Sequence, residues 1–147
     1  MKVLHLRSCR DTVGGLVYFG RMLDKIKLHD QGKLPPDYHE NLGIGFDGRC
    51  CSFLHIKYVD LVERVKHGGS DDEVLAWCFA HGRRPSEEEI EIWNDYMSKR
   101  GWRDAASARL AQRLKEYGIA HRTDVQTFFD LIDVDEGHPL GGAKQQP

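Results

Sequence analysis

Ser70-Asp-Asp-Glu-Val-Leu-Ala-Trp-Cys-Phe-Ala-His-Gly82 and, after Arg83-Arg-Pro85, Ser86-Glu-Glu-Glu-Ile-Glu-Ile-Trp-Asn-Asp-Tyr-Met-Ser-Lys-Arg-Gly101 decide the fold class of this chain. Each stretch opens on a serine with glutamate three residues later. That spacing is a capping box: the serine hydroxyl accepts from the amide of the glutamate, whose carboxylate reaches back to the serine amide. The acidic first turn complements the positive end of the helix dipole. Leu75, Trp77 and Cys78 follow in the first stretch, and Ile90, Trp93, Tyr96 and Met97 recur at helical spacing in the second. Gly82 reads as a left-handed stop, and Lys99-Arg-Gly101 ends the second helix with positive charge and glycine.

Outward from this pair, the same signals predict a helix over 104–117, with Ala106, Leu110, Leu114 and Tyr117 on one stripe and Gly118 as its stop. Another starts near Asp124 and carries Val125, Phe128, Phe129 and Ile132. Upstream, Ile56, Val59, Leu61, Val62 and Val65 mark a helix closing at Gly68-Gly69. A long first helix is expected over 15–31. At ~100° per residue, Leu16, Tyr18, Phe19, Met22, Leu23 and Ile26 fill one broad arc, while Val17 and Leu28 lie opposite, around Arg21 and Asp24. A helix apolar on two sides belongs at the centre, which encloses the charged set Arg21, Asp24 and Lys25.

Lys33-Leu-Pro-Pro-Asp-Tyr-His39 reads as extended, because each proline disfavours helix at the residue before it. Residues 41–48 read as a glycine-rich loop, and strands are not expected beyond a short extended piece at Val3–Leu6. The fold expected is all-α, an irregular bundle of five to seven helices around a central N-terminal helix. One domain should cover 1–136, with a flexible tail over 137–147.

The chain has 147 residues, 40% of them hydrophobic and 30% charged, so one core can form without disulfides or metal. A net charge of −2 is not that of a protein devoted to nucleic acid. Lys2, His5 and Arg7 interrupt the N-terminus, so no signal peptide is read there, and no run approaches the ~18 apolar residues of a membrane span. Cys9, Cys50, Cys51 and Cys78 lack any disulfide framework. Free thiols point to a reducing compartment, and the localisation expected is cytoplasmic.

Gly43-Ile-Gly45-Phe-Asp-Gly48 matches the dinucleotide fingerprint in letters, but no buried strand leads into it, so it reads as loop. Cys51 with His55 and Cys78 with His81 have helical spacing suited to zinc, yet Cys78 lies on an apolar stripe and His81 in a last turn. No metal and no cofactor are assigned. Cys50 or Cys51 would be activated as a nucleophile if a helix started there beside Arg49. Arg7 and Arg10, ahead of Gly14-Gly15 at the start of the first helix, suggest an anion site, unless Asp11 or Thr12 satisfies the same donors. Asp130, Asp133, Asp135 and Glu136 read as a solvated acidic helix end, and Trp102 as a plug under its turn.

Several stretches together resemble a known family: Leu6-Arg-Ser-Cys-Arg10, Gly14-Gly15, Arg21-Met-Leu-Asp-Lys25, Asp37-Tyr-His39, Gly45-Phe-Asp-Gly48, Glu73-Val-Leu-Ala-Trp77, Trp93-Asn94 and Lys99-Arg-Gly-Trp-Arg103. They are similar to a bacterial family of small helical domains of unknown function, over about 6–136. The family's usual opening has proline where Cys9 stands. The resemblance implies a bacterial, cytoplasmic, helical protein and transfers no activity, cofactor or catalytic residue.

Two functional readings follow. The first is a non-catalytic binding module for a protein partner or a small anionic ligand, since no constellation supplies nucleophile, base and orienter together. The second is a small enzyme with a polar pocket between the first helix and the 37–51 loop, lined by Arg21, Asp24, Tyr38, His39, Asp47, Arg49 and Cys50. With Lys25, Arg7 and Arg10, these are the candidate ligand-binding residues. Nucleic acid and membrane are not expected as partners. Trp77, Trp93 and Trp102, if exposed, would support a homodimer.

Overall fold

Both serine caps close as their spacing requires. In the structure, a computed structural model that describes residues 6–140, Ser70 Oγ accepts from the Glu73 amide at 3.1 Å and Glu73 Oε1 from the Ser70 amide at 2.7 Å. The Ser86–Glu89 pair repeats this at 3.1 and 2.8 Å. Each serine cap contributes roughly 1 kcal/mol to its helix.

The element order is β1 (Thr12–Val13), β2 (Leu16–Val17), α1 (Phe19–Asp30), a 3-10 helix (Pro36–Asn41), α2 (Phe46–Leu54), α3 (Tyr58–Lys66), α4 (Asp71–His81), α5 (Glu87–Lys99), α6 (Ser107–Glu116) and α7 (Phe128–Glu136). Among the described residues the fold is thus all-α apart from one minimal hairpin, and α1 lies at its centre. Phe19, Met22, Leu23 and Ile26 of α1 are buried in the main core with Leu54, Leu61, Val74, Trp93, Met97 and Phe129. A second cluster, Ala106, Leu110, Val125, Phe128 and Leu131, sits between α6 and α7, and Phe46 packs against both. Among the described residues, no helix is long and apolar enough to cross a membrane.

The expected first helix is four residues too long at its start. Gly14 and Gly15 take φ of 58° and 83°, the left-handed pair that a two-residue hairpin turn demands. Thr12 pairs with Val17 and Val13 with Leu16, so Leu16 and Val17 enter the core from a strand. The proline segment also differs: Pro36 opens the 3-10 helix, where its missing N–H leaves no hydrogen bond unmade. The loop expected over 41–48 becomes helix at Phe46.

Gly82 stops α4 by a different route from the left-handed one expected. Its φ is −111°, and a Cβ there would overlap the Leu54 carbonyl oxygen. The glycine is needed for close approach, and the next amide, of Arg83, bonds that same carbonyl at 3.0 Å. Trp102 is 45% exposed and plugs nothing. Leu110 and Phe128 fill the space beneath Gly101 instead. The extended piece expected at Val3–Leu6 lies, up to His5, outside the described residues, as does 141–147 of the expected tail. Gly137 caps α7 with φ 79°, and His138 Nε2 lies 3.0 Å from the Leu6 carbonyl.

Candidate functional site

The charged set of α1 singled out above, Arg21, Asp24 and Lys25, does not pair with itself. Its members fan out to three partners. Arg21 makes a bidentate contact to Glu136, Nη1 to Oε1 at 2.6 Å and Nη2 to Oε2 at 2.7 Å, and Tyr38 donates to Oε2 at 2.6 Å. Lys25 Nζ lies 2.8 Å from Asp47 Oδ1 and 2.9 Å from the Tyr18 hydroxyl, which donates to Asp47 Oδ1 at 2.6 Å. The second Asp47 oxygen accepts from the Gly43 amide at 3.0 Å. Asp24 takes Arg7 in a fork, at 3.0 Å from Nε and 2.9 Å from Nη2.

Burial makes these contacts matter. Asp47 is fully buried, and Arg21, Lys25 and Glu136 nearly so. Each would be costly alone, and each is matched by opposite charge and hydrogen bonds. Burial alone would raise the Glu136 carboxyl. The hydrogen bonds and charge of Arg21, with the Tyr38 hydroxyl, outweigh it and hold the group below its ordinary value. Burial and the neighbouring Asp47 charge push the Tyr18 phenol well up, so it stays a neutral donor. Tyr18 takes φ 75°, rare without glycine, and this aims its ring at Asp47 and Phe46.

The acidic end of α7 is consequently not solvated, against expectation. Asp133 is fully buried and accepts from Ser8 Oγ at 2.7 Å, while Arg10 reaches Asp130 at 2.6 Å and Asp133 at 3.6 Å. The proposed anion site at Arg7 and Arg10 disappears with it. Gly14-Gly15 is a hairpin turn, not a helix start. Arg7 is taken by Asp24 and by Asp71 at 2.7 Å, and Arg10 by α7.

Above the Tyr18–Lys25–Asp47 floor lies a cleft of about 790 Å³ between α1, the 3-10 helix, α2, α6 and α7. Its apolar walls are Phe46, Phe128, Ile44 and Tyr117. Arg49, Arg100, Arg109 and Arg113 also line it. The guanidiniums of Arg49 and Arg100 lie 5.8 and 5.6 Å from the Tyr96 ring centre, and that of Arg109 lies 5.7 Å from Phe128. Among the described residues, Arg49 and Arg109 have no ion pair. Arg100 and Arg113 have only long ones, to Asp104 at 3.6 Å and Glu116 at 3.9 Å.

A family model described as a domain of unknown function, DUF5069, matches residues 4–138. The chain belongs to the DUF5069 family. No curated protein matches it. In this DUF5069 chain the matched region includes the hairpin, every helix among the described residues and the whole cleft.

Of the residues singled out from sequence, Arg21, Lys25, Tyr38 and Arg49 line the cleft, and Asp47 lies immediately beneath it. Asp24, Arg7 and Arg10 are occupied in ion pairs elsewhere. His39 turns away, its Nε2 2.8 Å from the Leu34 carbonyl and its ring edge-on to His29. Sequence reading missed Arg100, Arg109, Arg113, Phe46, Phe128 and Glu136 as a group. Arg109 and Arg113 did carry a signal: an i,i+4 pair bordering the Ala106–Leu110–Leu114 stripe, which sets both on the rim of the helix's buried face.

The four thiols are free, and all are buried. Cys50 and Cys51 lie inside α2, with no activated sulfur at its start. Burial raises Cys50 well above its ordinary value, and burial, then Asp47, pushes Cys51 up to about 12. The helix start that would have activated either thiol lies instead at Phe46, four and five residues upstream. The Cys51–His55 and Cys78–His81 pairs do not assemble a zinc site: among the described residues no group of three or more His, Cys, Asp or Glu side chains could hold a metal ion. A thiol-specific disulfide reagent at pH 8 should leave all four cysteines unmodified while the chain stays native, and label all four in denaturant. Rapid native labelling of Cys50 or Cys51 would contradict this burial.

Proposed function

We propose that the chain is a binding module, and that the arginine-lined cleft captures anionic groups. One observation carries the reading: Arg21, Lys25, Asp47 and Glu136 are matched internally, while Arg49 and Arg109 line the cleft with no ion pair among the described residues. A guanidinium held on an aromatic ring keeps its planar fork free for a carboxylate or phosphate. The volume falls within the usual ~300–1,000 Å³ of ligand sites. The bacterial, cytoplasmic setting proposed with this function is supported by the four free thiols only as regards a reducing compartment.

The enzyme reading has one observation in its favour, the left-handed Tyr18 that puts a phenol at the cleft floor, because backbone strain collects at functional sites. Against it, that phenol already donates to Asp47 and accepts from Lys25, so it is not itself free to act as a base.

Inorganic phosphate, sulfate and citrate test the site in thermal unfolding. An anion at ~100 times its dissociation constant adds about 2.7 kcal/mol of stability. The shift should shrink with added chloride and vanish in the Arg49→Ala, Arg109→Ala double variant. A shift that survives the double variant places the anion elsewhere and ends this reading.

A further inference from the structure

A second groove, of about 640 Å³, runs between α2 and α5 and is lined by Phe53, Ile92, Trp93 and Tyr96. It shares Gly45 and Arg49 with the arginine cleft, so the two are contiguous. The exposed large hydrophobic residues concentrate there. Ile44, Ile92, Tyr96 and Tyr117, at 58%, 61%, 39% and 46% exposed, all line one groove or the other, leaving only Val59 and Trp102 elsewhere among the described residues. A continuous surface combining exposed aliphatic and tyrosine side chains with unpaired arginines has the composition of a protein interface, where Tyr and Arg supply the anchoring contacts.

We propose that this double groove docks an acidic segment of a partner polypeptide, whose carboxylates meet Arg49 and Arg109 while its apolar side chains lie against Ile92 and Tyr96. The proposal rests on the anion-capturing reading of the cleft and names what supplies the anion. Both grooves are open, and Arg49, Arg109, Ile44 and Ile92 are exposed, which suits a broad partner better than a small molecule enclosed on most sides. Charge complementarity favours carboxylates spaced along a peptide over a nucleic-acid backbone. Glu40 and Glu116 line the same cleft and would repel a continuous run of phosphates, whereas a peptide can set apolar residues opposite them.

The test selects displayed peptides of about twelve random residues on the full chain, then measures the best by fluorescence polarisation beside a labelled oligouridine. Enrichment of sequences combining Asp or Glu with Leu, Ile, Phe or Trp is expected. Ile92→Ser and Arg109→Glu should each weaken the selected peptide by ~10-fold or more, with both variants folding as the parent does by circular dichroism. No enrichment, enrichment of basic peptides, or an oligonucleotide binding in place of any peptide overturns the proposal. A peptide weakened by Arg109→Glu but unmoved by Ile92→Ser also overturns it, while leaving the anion site intact. Absence of any phosphate response in the parent chain would bring down both.

Discussion

Asp47→Ala is expected to cost about 3–5 kcal/mol of folding stability, enough to unfold many domains of this size. The aspartate is fully buried, and its removal strips Lys25 of its counter-ion, Tyr18 of its acceptor and the Gly43 amide of its partner. Most of the loss is the stranded ammonium, so repairing the charge should recover most of it. The double variant Asp47→Leu with Lys25→Met replaces the pair by apolar groups of similar size, and such replacements are often neutral or stabilising. Urea unfolding followed by circular dichroism reads both. A single-variant loss below about 1 kcal/mol would mean that water from the cleft reaches Lys25.

Glu136→Ala should come close to the same size, again ~3–5 kcal/mol, because Arg21 is left with a buried guanidinium and no carboxylate. This variant also carries a pH signature. A carboxyl held below its ordinary value adds stability that is present above the unfolded value of 4.5 and lost as pH falls through the folded one. Asp71, lowered chiefly by its hydrogen bond from Arg7, acts in the same direction. Asp133 acts oppositely: burial raises it, so its contribution is present at low pH and lost as pH rises through its raised value. The parent should therefore lose stability steadily below about pH 4.5, and Glu136→Ala should flatten that limb. An acid limb of equal slope in both proteins would remove Glu136 as its source.

What could be read from sequence was what is local. Ser70 and Ser86 specify their helix starts within four residues, and the structure forms both. The hairpin was hidden because each strand is two residues long, too short for alternation to register, so the apolar run through Leu16 and Val17 merged with α1. The start of α2 was masked by Gly43, Gly45 and Gly48, of which only the first two need positive φ. The site was less legible than the fold for a physical reason. A charge's partner is set by tertiary distance, and Arg21 has acidic Asp24 nearby in sequence but Glu136 in space. The acidic end of α7 looked solvated for the same reason, its cations lying at the other end of the chain.

That end-to-end wiring has a consequence for synthesis. Arg21–Glu136, Arg10–Asp130 and Ser8–Asp133 span 115, 120 and 125 residues. At ~5–20 residues per second, a ribosome holds α7 back for roughly ten seconds after α1 has emerged. Throughout that interval the nascent chain has its central helix but no counter-ion for Arg21 and no Phe129 to cover its apolar face. Its final closure waits on translation of the last helix, and the growing chain depends on whatever shields α1 until then.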